Sequence, residues 1–397
     1  MMEKKFYGER LRNARMYRGL TLTELAKRTD ISKQSLSLYE NDNNTPDYMK
    51  VRLLATELNF PYDYFFQKDS YVAKTETTYF RSFASATKKD RAAQSIKLEY
   101  VAKLYEILLE YISFPEMNLP NISFEGYDDV FECESDEAIQ EIENVANKVR
   151  EYWGLGNGPI KDLQYALEKN GIIVTGFDTN EDKIDAFSQR TIVEGNNIYF
   201  IAVALGNRPE GRIRFDMAHE LGHILLHPWS EDLETITKDE FKARERQANM
   251  FASAFLLPKD SFGKDVASYP TNLKYYQFLK NKWKVSIQAM IYRTHQLGII
   301  SDNQYQYLMR QISKNGWRIK EPDDVPCCLN ENIFQGALDL LMEQNVLSAK
   351  EIMDLFRKRG VTLYYEDIEE LLHLRPNTLK VEEKIRPILQ LRNNIKE

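Results

Sequence analysis

"RFDMAHELGHILLHP", residues 214–228, sets three of the chain's five histidines at four-residue intervals, with Glu220 directly after the first and Pro228 after the third. On an α-helix, residues four apart share a face with their Cβ atoms about 6 Å apart, so His219 and His223 can each aim a ring nitrogen at one cation. Glu220 is rotated about 100° from His219, where it can reach a water at the site without ligating the ion. Two neutral imidazoles, an open coordination position and a carboxylate able to take a proton from water are what a His-Glu-x-x-His zinc hydrolase requires. The bland alternative is a set of polar residues on one side of a buried helix.

His227 is the weaker choice for a third ligand. On an unbroken helix its Cα lies about 12 Å from that of His219, and tetrahedral zinc does not accept the near-collinear bridge this gap demands. Pro228 predicts that the helix ends near His227, which then caps the last carbonyls or supports the site from outside. Glu245 is the better candidate. It lies in "DEFKARERQANMFASAFLLP" (239–258), a second long helical pattern with Asn249 one turn on, where Ala248 and Ala252 allow close approach to the first helix.

Upstream, "IIVTGF", "IDAFS", "RTIV" and "NIYFIAVAL" are short β-rich runs, preceded by helical patterns in "DEAIQEIENVANKVREYWG" and "PIKDLQYALEKNG". Sheet first and long helices after it is an α+β signature. "NNIYFIAVAL" is a possible edge on which an extended substrate could pair. Short helices follow in "VSIQAMIYRTHQLGII" (285–300), where Tyr292, Arg293 and His295 are candidates for stabilising an oxyanion, and a small helical unit closes the chain.

The N-terminal part reads differently. Residues 1–65 suggest five short helices. The first stops at Gly19; the second is capped by Thr21 with Glu24 as its capping-box partner; Ser32 caps the third; Pro46 and Pro61 open the fourth and fifth. Two short helices joined by a tight turn, the second displaying Lys33, Gln34, Ser35 and Ser37, make a helix-turn-helix that fits a DNA major groove. Between 70 and 120 the dominant feature is one long amphipathic helix with Ala93, Ile96, Tyr100, Leu104, Ile107 and Leu108 on a stripe, ending before Pro115. That stripe needs a partner, either the following domain or a second chain; a homodimer would suit the reading of two half-sites.

The bulk numbers bound these readings. At 397 residues there is room for two or three domains of roughly 100–200 residues. The net charge of −7 argues against a chain coated in nucleic acid, but residues 1–65 hold 11 Lys/Arg against 9 Asp/Glu, so about −9 falls on the rest and the N-terminal segment is the best anion-facing part. The start lacks the apolar core of a signal peptide and no run approaches the ~20 residues of a membrane helix, so a soluble cytoplasmic protein without a membrane partner is expected. Cys133, Cys327 and Cys328 fit no disulfide or Cys-x-x-Cys framework and read as small buried hydrophobes, with a redox-active pair of the adjacent Cys327 and Cys328 as the alternative.

Two resemblances sharpen the picture. "LRNARMYRGLTLTELAKRTDISKQSLSLYEN" resembles the lambda-repressor-like XRE family of DNA-binding domains, which implies base-edge contacts from Lys33, Gln34, Ser35 and Ser37 and phosphate contacts from Thr23 and Asn43. "FDMAHELGHILLH" followed by "ERQANMFASAFLLP" resembles the ImmA/IrrE metallopeptidase family, which implies that Glu245 completes a zinc (Zn2+) site with His219 and His223 while Glu220 serves as catalytic base. With "TYFRSFASAT" between them, the chain looks like a fusion of the two.

The expectation is therefore multidomain: an all-α helix-turn-helix domain (1–68), a helical connector (69–135), an α+β zincin-like metallopeptidase domain (136–300) and a helical C-terminal region (301–397). Its function would be sequence-specific binding of a double-stranded DNA operator joined to zinc-dependent cleavage of a protein substrate, the chain itself or a partner repressor. The alternative is a DNA-binding regulator whose zinc domain senses a ligand or metal without proteolytic turnover.

Overall fold

The computed structural model describes residues 5–68, 75–80, 87–124, 126, 132, 135–177, 186–206, 208–229, 236–326 and 329–381. The three cysteines lie outside the described residues.

The N-terminal domain is all helical: α1 (Gly8–Tyr17), α2 (Leu22–Thr29), α3 (Lys33–Glu40), α4 (Tyr48–Leu58) and a 3₁₀ turn at Tyr62–Phe66. Thr21 caps α2 in a capping box with Glu24, and the Ser32 hydroxyl accepts the Ser35 N–H at the start of α3. α1 ends one residue before Arg18, and Gly19 takes φ +60°, the left-handed stop that the sequence suggested. The fourth helix starts later than Pro46 predicts, because Asp47 accepts the Lys50 N–H and is the actual cap.

The centre is a four-stranded mixed sheet in the order β1-β3-β4-β2, with β1 Thr75–Phe80, β2 Ile172–Phe177, β3 Ala186–Val193 and β4 Asn196–Ala204. β2 runs parallel to β4, while β3 is antiparallel to both β4 and β1. The runs "IDAFS" and "RTIV" belong to one strand, since Ser188, Gln189 and Arg190 stay in register with Ile201, Phe200 and Tyr199. Glu194 and Gly195, both at positive φ, form the two-residue hairpin to β4. Two expectations fail here. β4 is paired on both sides and offers no free edge, and the connector supplies β1 as well as its helix.

Side chains alternate along the strands and serve two cores. Ile172, Val174, Ile201 and Val203 join α6 (Asp136–Tyr152), α7 (Leu163–Lys169), α8 (Glu210–Leu226), α9 (Lys238–Leu256), α10 (Lys259–Ala267), α11 (Leu273–Trp283), α12 (Ile287–Gln296) and α13 (Asp302–Lys314). Ile173, Phe187, Phe200 and Ala202 face the other way. They pack with α5 (Lys88–Leu109), the N-terminal domain and the C-terminal helices α14 (Ile333–Glu343), α15 (Ala349–Lys358) and α16 (Tyr365–Leu371).

The stripe on α5 that sequence left open to a second chain is covered by this one. Ile96, Tyr100, Leu104 and Leu108 are all buried, with Tyr100 donating to or accepting from the Tyr64 hydroxyl at 2.7 Å. Arg18, just past the end of α1, reaches both oxygens of Asp367 on α16 at 2.7 and 2.9 Å, and the Thr175 hydroxyl on β2 donates to the Leu371 carbonyl. The N-terminal domain and the sheet are thus fastened to the same C-terminal helix, α16.

Candidate functional site

α8 and α9 form the site. α8 begins after Pro209 and runs unbroken to Leu226; His227 leaves the helix at φ −117°, ψ 146°. α9 starts at a Thr237 cap and lies against α8, with Ala248 and Ala252 wholly buried. The two backbones come close at Gly222, where an added Cβ would sit 3.1 Å from the Ala248 Cα and 3.2 Å from its carbonyl oxygen. The glycine inside the His-Glu-x-x-His stretch therefore sets how near the second helix can come.

That approach brings His219, His223 and Glu245 together. The two imidazole Nε2 atoms are 3.0 Å apart, and the Glu245 oxygens lie 3.5 Å from His219 Nε2 and 3.2 Å from His223 Nε2. Among the described residues these three form a group able to hold a metal ion. Neighbouring ligands of tetrahedral zinc, with bonds of about 2.0–2.1 Å, stand about 3.3 Å apart, so spacing and donor chemistry both fit the ion. Both histidines are buried and the Glu245 side chain is 17% exposed. Burial alone would raise the Glu245 pKa, but the two imidazoles, in their protonated forms, outweigh it and hold the carboxyl below the usual range.

The other nitrogen of each ring is held by a partner of its own. His219 Nδ1 is 3.1 Å from Asn249 Oδ1, one helical turn beyond Glu245. His223 Nδ1 is 2.9 Å from His227 Nδ1, and His227 Nε2 is 3.2 Å from Gln247 Oε1. An amide oxygen only accepts, so His227 carries its proton on Nε2 and, being neutral, accepts at Nδ1 from His223. Neutrality follows from burial, which pushes the His227 pKa well down, helped by the nearby His223 and Arg244. Each chain of hydrogen bonds ends with an Nε2 lone pair turned inward. His227 thus supports the site from outside, as Pro228 suggested.

Glu220, fully buried, occupies a different side of α8. Its Oε2 accepts a 2.6 Å hydrogen bond from the Ser188 hydroxyl on β3. The 100° step from His219 separates a side that meets α9 from one that meets the sheet. Ser188 was missed because nothing in "AFSQR" marks it; only the alternation that turns residue 188 towards α8 brings it there. Gln247 was missed because it lies inside a run already explained by Glu245 and Asn249. Arg293 and His295 are committed elsewhere: Arg293 is buried against Glu143 and donates to the Leu257 carbonyl, and His295 pairs with Asp302 at 2.7 Å.

On the N-terminal domain, Lys33 and Gln34 are exposed at the start of α3, and Ser35 and Ser37 are half-buried on it. Thr23 is exposed in the first turn of α2, and Asn43 is exposed after α3. Leu36, Tyr39 and Glu40 point into the domain, where Glu40 is gripped by Arg15 at 2.6 and 2.8 Å.

Comparison with known proteins agrees with both halves. Residues 167–295 match the family Peptidase M78, described as the IrrE N-terminal-like domain, and residues 8–70 match a helix-turn-helix domain family. The chain therefore carries a region that matches a helix-turn-helix domain followed by one that matches the Peptidase M78 family. It is similar to the HTH-type transcriptional regulator ImmR of Bacillus subtilis (strain 168), 37% identical over 70 residues, which is 18% of this chain. The match spans 55% of that relative's length. Among the described residues, no helix is long and apolar enough to cross a membrane.

Proposed function

We propose that this chain is a DNA-binding transcriptional regulator carrying a zinc-dependent endopeptidase, with His219, His223 and Glu245 as metal ligands and Glu220 as catalytic base. The observation that carries the reading is the meeting of those three donors at 3.0–3.5 Å with both histidine Nδ1 atoms independently held. When bound there, zinc supplies Lewis acidity to water and to a peptide carbonyl. Glu220 takes the proton from the attacking water and returns it to the leaving amine. Ser188 fixes one carboxylate oxygen, so the direction in which Glu220 accepts is set before substrate arrives.

Lys33, Gln34, Ser35 and Ser37 read base edges of an operator, and Thr23 and Asn43 hold phosphates. The substrate is a regulatory protein, this chain or a partner. A two-copy assembly on DNA would use a surface other than the α5 stripe.

A second reading, a zinc-dependent sensor without turnover, is favoured by the complete burial of Glu220. Glu220→Gln separates the two. Mass spectrometry of cells holding either form is expected to show a fragment present with wild type and missing with the variant, while zinc content and DNA binding persist. Identical fragment patterns would remove the peptidase and leave the sensor.

A further inference from the structure

β3 is the strand that holds Glu220 through Ser188, and one of its two sides belongs to β4. The other side is taken by β1, six residues of the segment joining the DNA-reading domain to α5. Pairing is antiparallel, with Thr78 opposite Gln189, Tyr79 opposite Ser188 and Phe80 opposite Phe187. The β1 backbone thus passes one strand spacing, about 4.8 Å, from the residue that positions Glu220. Remove β1, and β3 becomes a sheet edge beside the site, with unpaired backbone groups ready to receive an extended peptide.

β1 is also the least committed strand. It pairs with β3 alone, stands at the end of the sheet, and its register is broken between Thr75 and Thr78. β2, at the opposite end, is in unbroken register with β4 along its whole length.

We propose that the outer edge of β3 is where this site docks peptide, and that β1 is its resident occupant. An incoming substrate is an extended segment that pairs antiparallel with β3 after displacing β1. This rests on the peptidase reading and deepens it: the connector competes with substrate in cis. A tethered strand acts at an effective concentration of about millimolar, so a β1 that itself holds the edge with a strength of roughly 1–100 μM weakens a competing peptide roughly 10- to 1000-fold.

The test uses the full chain with Glu220→Gln, so that nothing is consumed, and a fluorescein-labelled peptide of residues 73–84, AKTETTYFRSFA. In one form Thr78 and Tyr79 are both changed to Pro. Neighbouring residues of an antiparallel strand alternate in directing their N–H at the partner, so two consecutive prolines remove at least one ladder donor. Fluorescence anisotropy is expected to show the peptide binding this form at least about tenfold tighter than the chain with β1 intact. Hydrogen exchange is expected to speed up at amides of residues 186–193 and slow again when the peptide is added.

Should the double proline unfold the sheet, Thr78→Gly with Tyr79→Gly keeps both N–H groups while weakening the strand, and a smaller tightening in the same direction is expected. Equal peptide affinity with and without the β1 changes, or unaltered exchange along β3, overturns the proposal. With Glu220 restored, a peptide that docks on β3 while no protein in the cell is cut in a Glu220-dependent way defeats the peptidase reading and leaves the docking edge standing. Hydrolysis at the same rate with intact and disrupted β1 does the reverse.

Discussion

Replacing Gly222 by Ala tests whether the packing of two helices sets the metal site. The new Cβ would stand 3.1 Å from the Ala248 Cα, 3.2 Å from the Ala248 carbonyl oxygen and 3.2 Å from Phe251 Cδ1. Comfortable carbon–carbon contact begins near 3.5 Å, so α9 must retreat by about 0.4 Å, since its backbone cannot rotate away as a side-chain tip would. Overpacking of this kind costs about 1–3 kcal/mol, and the better helix propensity of Ala returns about 1 kcal/mol. Net stability then falls by about 0–2 kcal/mol, too little to be a decisive readout. Metal affinity is the sensitive one, because the helix that moves carries Glu245 and Asn249, which meet both imidazoles. Displacing such partners typically weakens metal binding about 10- to 100-fold. Competition with a chromophoric zinc chelator gives the affinity, and thermal unfolding with and without zinc gives the stability. Wild-type zinc affinity together with a higher Tm would refute the reasoning, since propensity alone would then explain the variant.

Three further outcomes are expected. His227→Phe leaves His223 Nδ1 without its acceptor and should weaken zinc binding about 10- to 100-fold, with partial recovery in His227→Gln; unchanged affinity in the Phe form sinks the relay through Gln247. Burial pushes the Glu168 carboxyl up to about 8, so the folded chain keeps a proton that the unfolded chain has released. The stability tied to this proton is full below the unfolded value and is lost as pH rises towards 8. Glu168→Gln should therefore flatten the fall in Tm between pH 5 and 8, an effect of roughly 3–5 kcal/mol, and equal falls in both forms would contradict it. Gln34→Ala should cost about 1–3 kcal/mol on the specific operator and little on random duplex; equal loss on both, read by titration at fixed salt, takes Gln34 out of the base-reading set.

Much of the site was legible because its signals are local. Four-residue spacing fixes which histidines share a helical side, Thr21 and Ser32 mark helix starts through bonds to the next turn, and Pro228 marks an end. These depend on neighbours in the chain and are written in its order. Where the signal was weaker, the reading slipped by small amounts, as when Asp47 rather than the vicinity of Pro46 became the cap of α4.

The sequence by itself marked the helices that carry His219, His223 and Glu245 and the two kinds of domain, because periodicity and capping are short-range physics. Tertiary structure alone decided that Ser188 reaches Glu220, that Gln247 meets His227, and that β1 lies against β3. It also decided that the stripe on α5 is used within the chain. Those contacts join residues 20 to more than 100 positions apart, and which of many compatible partners a strand edge or an apolar stripe takes depends on how the whole core closes.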